Sequence, residues 1–328
     1  MFTQYDACAI CPRNCGTDRN NGKKGLCGET SALRVSWAGL HFGEEPPVTG
    51  KGGSGTVFIT GCNLRCKFCQ NWQISQDGMG LAVTDSGFAE MCVELERSGA
   101  ENINIVTGSH AIPAIAAGLR LARQEGLRIP ILWNSSGYET PEALSLLDGL
   151  VSVWLPDLKT LNPELSENLF RAKDYPKAAK RALRFMADRS PLVVEEATRE
   201  RPSGKIVSGL IVRHLVLPNR LADTELVLAW FAEHLKGKAL LSLMTQYTPV
   251  PDSPYAKEID AFPNRLMQGK EADRLQNLLE SYGIENGYYQ ELVEDTSWLP
   301  DFARGQPFSS ALAKPIWHWR EGFIGRKE

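Results

Sequence analysis

From residue 55 onward, short apolar runs alternate with segments of helical period. The runs are GTVFITG (55–61), NINIVTG (102–108), IPILWNSSG (129–137), LVSVWLPDLK (150–159), GLIVRHLVLP (209–218) and ALLSLMTQY (239–247). Each is rich in β-branched or aromatic residues and ends in polar residues or glycine, as strands do. Between them lie amphipathic stretches such as SGFAEMCVELERSG (86–99), AIPAIAAGLRLARQEG (111–126), TPEALSLLDG (140–149) and DTELVLAWFAEHLKG (223–237). Strand and helix in alternation imply a parallel sheet. The fold class expected is α/β, a partial (β/α)6 TIM-like barrel open on one side. Its functional side chains belong where the strands end.

The first 54 residues break this rhythm, being rich in Gly, Pro and polar residues without helical period. They read as a small Cys-rich, metal-binding N-terminal cap. The barrel then occupies 55–290, and the aromatic, Pro-bearing 291–328 reads as an extended C-terminal tail packed on it.

Composition narrows the function. The chain has 328 residues, 43% of them hydrophobic, enough for one large core. A net charge of −3 with scattered Lys and Arg argues against nucleic acid as a partner. No run approaches the roughly 18 apolar residues of a membrane span, and the N-terminus lacks an apolar signal core, so the expected location is the cytoplasm, with no membrane partner. Seven of the eight cysteines fall within the first 69 residues. In a reducing compartment such clustering suggests metal ligation more than disulfides. The eighth, Cys92, lies on the apolar face of a helix and is expected in the core.

Cys62, Cys66 and Cys69 form C-x3-C-x2-C directly after the first run, so three thiolates converge from one loop. Thiolate ligation suits zinc or an iron–sulfur cluster. Three ligands favour a 4Fe-4S cubane with one iron left open. The alternative is a zinc knuckle completed by His41 or Cys92. Cys8, Cys11, Cys15 and Cys27 form C-x2-C-x3-C-x11-C, a closed four-thiolate site that fits zinc or an auxiliary iron–sulfur cluster equally well.

The loop GCNLRCKFCQN, with Phe68 before its last cysteine, resembles the radical S-adenosylmethionine (SAM) superfamily. Together with HFGEEPPVTGKGGSGTVFIT, NIVTGSH, WNSSGY, DLK, VRHLVLP and CAICPRNCGTDRNNGKKGLCGE, it is similar to the uncharacterised relatives of pyruvate formate-lyase activating enzyme. This resemblance implies that the open iron binds S-adenosylmethionine and that reductive cleavage yields a 5'-deoxyadenosyl radical. It places Phe68 and Asn71 beside the cofactor. Thr107, Gly108 and Ser109 stand where the superfamily commonly has Gly-Gly-Glu, and the glutamate is missing here. Asn134 and Ser136 stand where an Asp-Thr-Asn-like stretch is usual. Asp157 and Lys159 match an Asp-x-Lys, Lys159 to neutralise the cofactor carboxylate and Asp157 to fix it, and Arg213 is expected to do similar work. His110 and His214 are expected to be structural hydrogen bonders. No catalytic residue is assigned beyond the cluster ligands.

Three functions are weighed, the first as what the resemblance to pyruvate formate-lyase activating enzyme implies. One is an activase that abstracts hydrogen from a glycine of a partner enzyme. Another is radical chemistry on a small molecule or peptide. The third is a non-catalytic metal-binding scaffold. Either enzyme needs a low-potential electron donor such as flavodoxin or ferredoxin.

Overall fold

A computed structural model describes residues 2–199, 203–293 and 298–326. Residues 294–297, 327 and 328 of the expected tail lie outside the described residues.

The strands are β1 (Leu33–His41), β2 (Ser54–Ile59), β3 (Leu81–Val83), β4 (Ile103–Val106), β5 (Ile131–Ser135) and β6 (Val153–Pro156). They continue with β7 (Val193–Glu195), β8 (Lys205–Leu215), β9 (Leu240–Met244), β10 (Gly287–Gln290), β11 (Ala313–His318) and β12 (Gly322–Phe323). The helices are α1 (Pro46–Thr49), α2 (Trp72–Ser75), α3 (Asp85–Arg97), α4 (Ile112–Gln124), α5 (Pro141–Leu144), α6 (Pro163–Phe170), α7 (Tyr175–Arg189), α8 (Leu221–His234) and α9 (Gly269–Ser281).

All six expected strands form, as β2, β4, β5, β6, β8 and β9, and each pairs in parallel with the next. The main path runs β10-β9-β8-β6-β5-β4-β2-β1-β11-β12, and among the described residues no pairing joins its two ends. The fold is an α/β partial barrel, open on one side. Three features were not foreseen. β10 adds a further parallel strand beyond β9. β1, inside the segment read as a cap, joins the sheet antiparallel to β2. β11, from the C-terminal stretch, pairs antiparallel with β1.

Alternation along each strand sends successive side chains to opposite faces. Val57, Ile59, Ile103, Ile105, Ile131, Trp133, Leu210 and Val212 join the large core under the helices, with Phe88, Met91, Ile115 and Leu119. The opposite positions line the lumen in two layers. Leu132, Val153, Leu155, Ile211 and Leu240 pack around Val48 of α1, which plugs the barrel. Phe58 and Val106 pack with Trp37, Phe302 and Phe308, so the C-terminal stretch supplies two aromatic side chains to the lumen wall. Apolar residues on both faces explain why the strands read as nearly continuous hydrophobic runs.

Candidate functional site

The loop after β2 is held from several sides. Gly61 has φ 85°, and a Cβ there would lie 2.4 Å from Glu29 Cγ and 3.0 Å from the Cys27 carbonyl, so both conformation and close packing require glycine. Helix α6 begins at Asn162, whose side chain accepts from the Glu164 and Leu165 amides, with Pro163 at its first position. Its C-terminal carbonyls at Leu169 and Phe170 accept from the Lys67 and Arg65 amides at 3.0 and 3.3 Å. Phe68 packs edge-on against Phe170, Tyr247 and Phe262. Gln76 Nε2 donates to the Cys66 carbonyl at 3.1 Å. The Leu64 amide points at Cys62 Sγ at 3.4 Å, and Ser75 Oγ lies 3.3 Å from Cys69 Sγ. The Asn71 backbone amide also points at Cys69.

Burial pushes all three thiols up, Cys62 to about 12, a rise that a bound metal cation would oppose. Lys159 opposes that rise at Cys62, Cys66 and Cys69 alike, which brings the end of β6 to the cysteine loop. Lys159 Nζ also pairs with Asp157. Tyr175 sits beneath, its hydroxyl accepting from the Lys159 amide at 2.9 Å and donating to the Ser136 and Asp157 carbonyls. The Ser136 hydroxyl is buried and has no protein partner among the described residues. The Asn134 carbonyl accepts from the Thr107 amide at 2.9 Å, joining the β4 and β5 ends. Thr107 has φ 63°, a left-handed conformation unusual for a β-branched residue.

Glu139 was not foreseen. Its fully buried carboxylate accepts from Ser109 Oγ and Trp133 Nε1, and its Oε2 has no partner among the described residues. It lies behind Thr107–Ser109 and braces that turn. Burial pushes its carboxyl up. No local spacing announces it, because its partners lie on two separate segments, the turn after β4 and strand β5.

Arg213 does not offer a free charge. Its Nε donates to Glu45 Oε1 at 2.8 Å, and its terminal nitrogen pairs with Glu44 and Glu45. His214 commits both ring nitrogens, to the Leu158 carbonyl at 2.7 Å and Thr224 Oγ1 at 3.0 Å. His110 Nε2 lies 2.9 Å from the Thr60 carbonyl. The alternative fourth ligands are engaged elsewhere: His41 packs edge-on against Phe308, and Cys92 is buried on α3.

The four N-terminal cysteines share one small lobe. The Cys15 and Cys27 sulfurs flank Gly25, where a Cβ would lie 3.5 and 3.3 Å from them. Arg19 is buried, lies over the Tyr5 ring, and directs one nitrogen at Cys8 Sγ (3.6 Å) and the His110 carbonyl (2.7 Å). This lobe touches the first loop directly: the Cys62 amide donates to the Cys27 carbonyl at 3.3 Å and Arg13 Nε to the Asn63 carbonyl at 2.7 Å. Among the described residues no three His, Cys, Asp or Glu side chains stand preassembled around one point. The donor chemistry fits: three thiols on one loop for a cluster, and four with an adjacent buried cation for a second anionic centre.

Comparison with known proteins decides the family. The radical SAM superfamily model matches residues 56–194. An uncharacterised protein of Methanocaldococcus jannaschii, MJ0674, is 30% identical over 288 residues, 86% of this chain and 76% of that one. The chain belongs to the radical SAM superfamily. As a radical SAM protein it is an iron–sulfur, S-adenosylmethionine enzyme by family. Among solved structures, Streptococcus suis SuiB bound to precursor peptide SuiA is 11% identical with a TM-score of 0.49, over 70% of this chain and 46% of that one. This radical SAM chain therefore spans less than half of SuiB. Methylornithine synthase is 14% identical with a TM-score of 0.45, over 83% and 77%. A domain of pyruvate-formate lyase-activating enzyme from Bacteroides vulgatus is 11% identical with a TM-score of 0.37, over 55% and 91%. No helix among the described residues is long and apolar enough to cross a membrane.

Proposed function

We propose that Cys62, Cys66 and Cys69 hold a 4Fe-4S cluster at which this chain cleaves S-adenosylmethionine reductively, and that it uses the product to abstract hydrogen from a substrate. One observation carries the reading: three thiols lie on one loop, and the Lys159 ammonium is near enough to oppose the burial-driven rise of all three. When bound, the cluster and cofactor supply the 5'-deoxyadenosyl radical.

The chain's own residues bind, orient and exclude water. Lys159, steadied by Asp157 and Tyr175, presents N–H donors to the cofactor carboxylate. The unpartnered Ser136 hydroxyl offers a further polar contact. Thr107 to Ser109, braced by Glu139, offer backbone carbonyls to the cofactor amino group in place of the missing Gly-Gly-Glu carboxylate. Asn134, Phe68 and Asn71 are proposed to border the same cofactor. The aromatic wall of Trp37, Phe58, Phe302 and Phe308 keeps water from a reactive intermediate.

In the activase reading the hydrogen comes from a glycine of a partner enzyme admitted through the open side. The second reading, a small-molecule or peptide substrate, is favoured by the charged groups inside the lumen, described below. Cys8, Cys11, Cys15 and Cys27 are proposed to hold a second metal, zinc or an auxiliary cluster. Electrons are proposed to come from a low-potential donor such as flavodoxin or ferredoxin, in the cytoplasm.

The test is anaerobic: reconstitute, reduce, add S-adenosylmethionine and quantify 5'-deoxyadenosine. Formation by the wild type and its loss in Cys69→Ala is the expected result. A Cys69→Ala variant that still makes it sinks the cluster assignment, and a wild type carrying its cluster that makes none, with or without a flavodoxin donor, returns the protein to the scaffold reading.

A further inference from the structure

The lumen holds a charged group that the cofactor does not explain. Glu44 and Glu45 follow β1 and enter the barrel just before the α1 plug. Arg213 reaches them from β8. Asn104 of β4 donates Nδ2 to Glu44 Oε1 at 3.0 Å, and His41 Nδ1 lies 3.9 Å from the same oxygen. The set adjoins the proposed cofactor seat, because Arg213 bridges Asp157 in the sheet and its carbonyl accepts from the Leu158 amide at 2.7 Å.

Charge does not balance here. Glu45 meets Arg213 with both oxygens, a two-point pairing sufficient to neutralise it. Burial raises the Glu45 carboxyl, but Arg213 outweighs that and holds it low. Burial also drives the His41 imidazole down, against the pull of Glu44. Two carboxylates thus face one guanidinium, and the Glu44 side chain is 9% exposed. Two buried carboxylates against one guanidinium are costly, and a purely structural staple for α1 would need only one. A second, independent feature points the same way. Asn104 is fully buried, and its Oδ1, an acceptor only, has no partner among the described residues. Beside Glu44, the His41 ring meets Phe308 edge-on with centroids 5.0 Å apart, an aromatic surface able to pack on an alkyl chain or a cation.

Surplus negative charge, an unsatisfied acceptor and an aromatic wall select one kind of ligand. We propose that Glu44, Asn104 and His41 form a recognition site for a substrate group bearing a cationic nitrogen, an ammonium or guanidinium on an aliphatic stem. The inference rests on the proposed function, since it takes the lumen as the place where substrate meets the radical. It names the class of substrate that reading left open.

The reconstituted protein is titrated with n-butylguanidinium, n-butylammonium and uncharged n-butylurea by calorimetry or saturation-transfer NMR, with 5'-deoxyadenosine formation measured on the same sample. One or both cations should bind about tenfold more tightly than the urea, and the better cation identifies the head group. Glu44→Gln should erase that preference, while Glu44→Asp, which keeps the charge, should retain most of it. Equal binding of charged and neutral probes by the wild type, no saturable binding of any probe, or a preference unchanged in Glu44→Gln overturns the inference. A protein that makes 5'-deoxyadenosine yet shows no preference loses this inference and keeps the proposed function. One that shows the preference and makes none loses the proposed function alone.

Discussion

Lys159 has an ordinary strand-end partner in Asp157, yet it also faces three thiols, and only the second fact separates a cofactor ligand from a surface ion pair. Charge-assisted hydrogen bonds contribute about 1.5–3 kcal/mol, so Lys159→Ala should weaken S-adenosylmethionine binding at least tenfold. Calorimetry that finds the affinity unchanged would reduce Lys159 to a structural residue. His214 allows a test through pH. Burial lowers it to about 4, so between there and the unfolded value near 6.5 the unfolded chain binds the extra proton. Stability should therefore fall as pH drops through that window, by about 1.4 kcal/mol per pH unit from this group. Denaturation midpoints of His214→Gln should show a shallower acid slope than the wild type; parallel slopes would mean His214 does not titrate this way. Gly25→Val would thrust a side chain between the Cys15 and Cys27 sulfurs, and metal analysis should find the second site depleted while cluster iron remains. The cysteine spacings were legible because ligands of one loop are local. Glu139, Arg19 and the Glu44–Arg213 set were not, since each acts through partners 30 or more residues away, or through backbone contacts that no spacing encodes.

At the scale of elements, the parallel strands were legible because both of their faces are covered and their runs are continuously apolar. β1 was hidden in a stretch dominated by glycine and cysteine, although LRVSWAGLH has strand character once separated from it. β10 spans Gly287–Gln290 and is stabilised by its pairing with β9 rather than by its own sequence. The C-terminal stretch lacked a period because it contributes individual aromatic anchors. Phe302 is fully buried, with its ring 5.2 Å from Phe58 and 5.9 Å from Phe308. Phe302→Ala should cost about 3–5 kcal/mol, read from urea denaturation. A loss below ~1 kcal/mol would show that the stretch rests on the barrel without sealing it.

For the whole molecule, the two cysteine groups form neighbouring parts of one structure, joined by the Cys62–Cys27 backbone hydrogen bond. A metal inventory separates the readings of the N-terminal lobe. About four irons with one zinc per chain makes that lobe a staple, and about eight irons without zinc makes it an auxiliary cluster. The open iron itself is tested most directly by magnetic resonance. The reduced, reconstituted protein is given S-adenosylmethionine labelled with 15N at its amino group, and the cluster signal is recorded with and without it. A shifted signal carrying hyperfine coupling to the label is the predicted result. An identical signal in both samples, from protein shown to bind the cofactor, would contradict a cluster held by Cys62, Cys66 and Cys69 with one iron open.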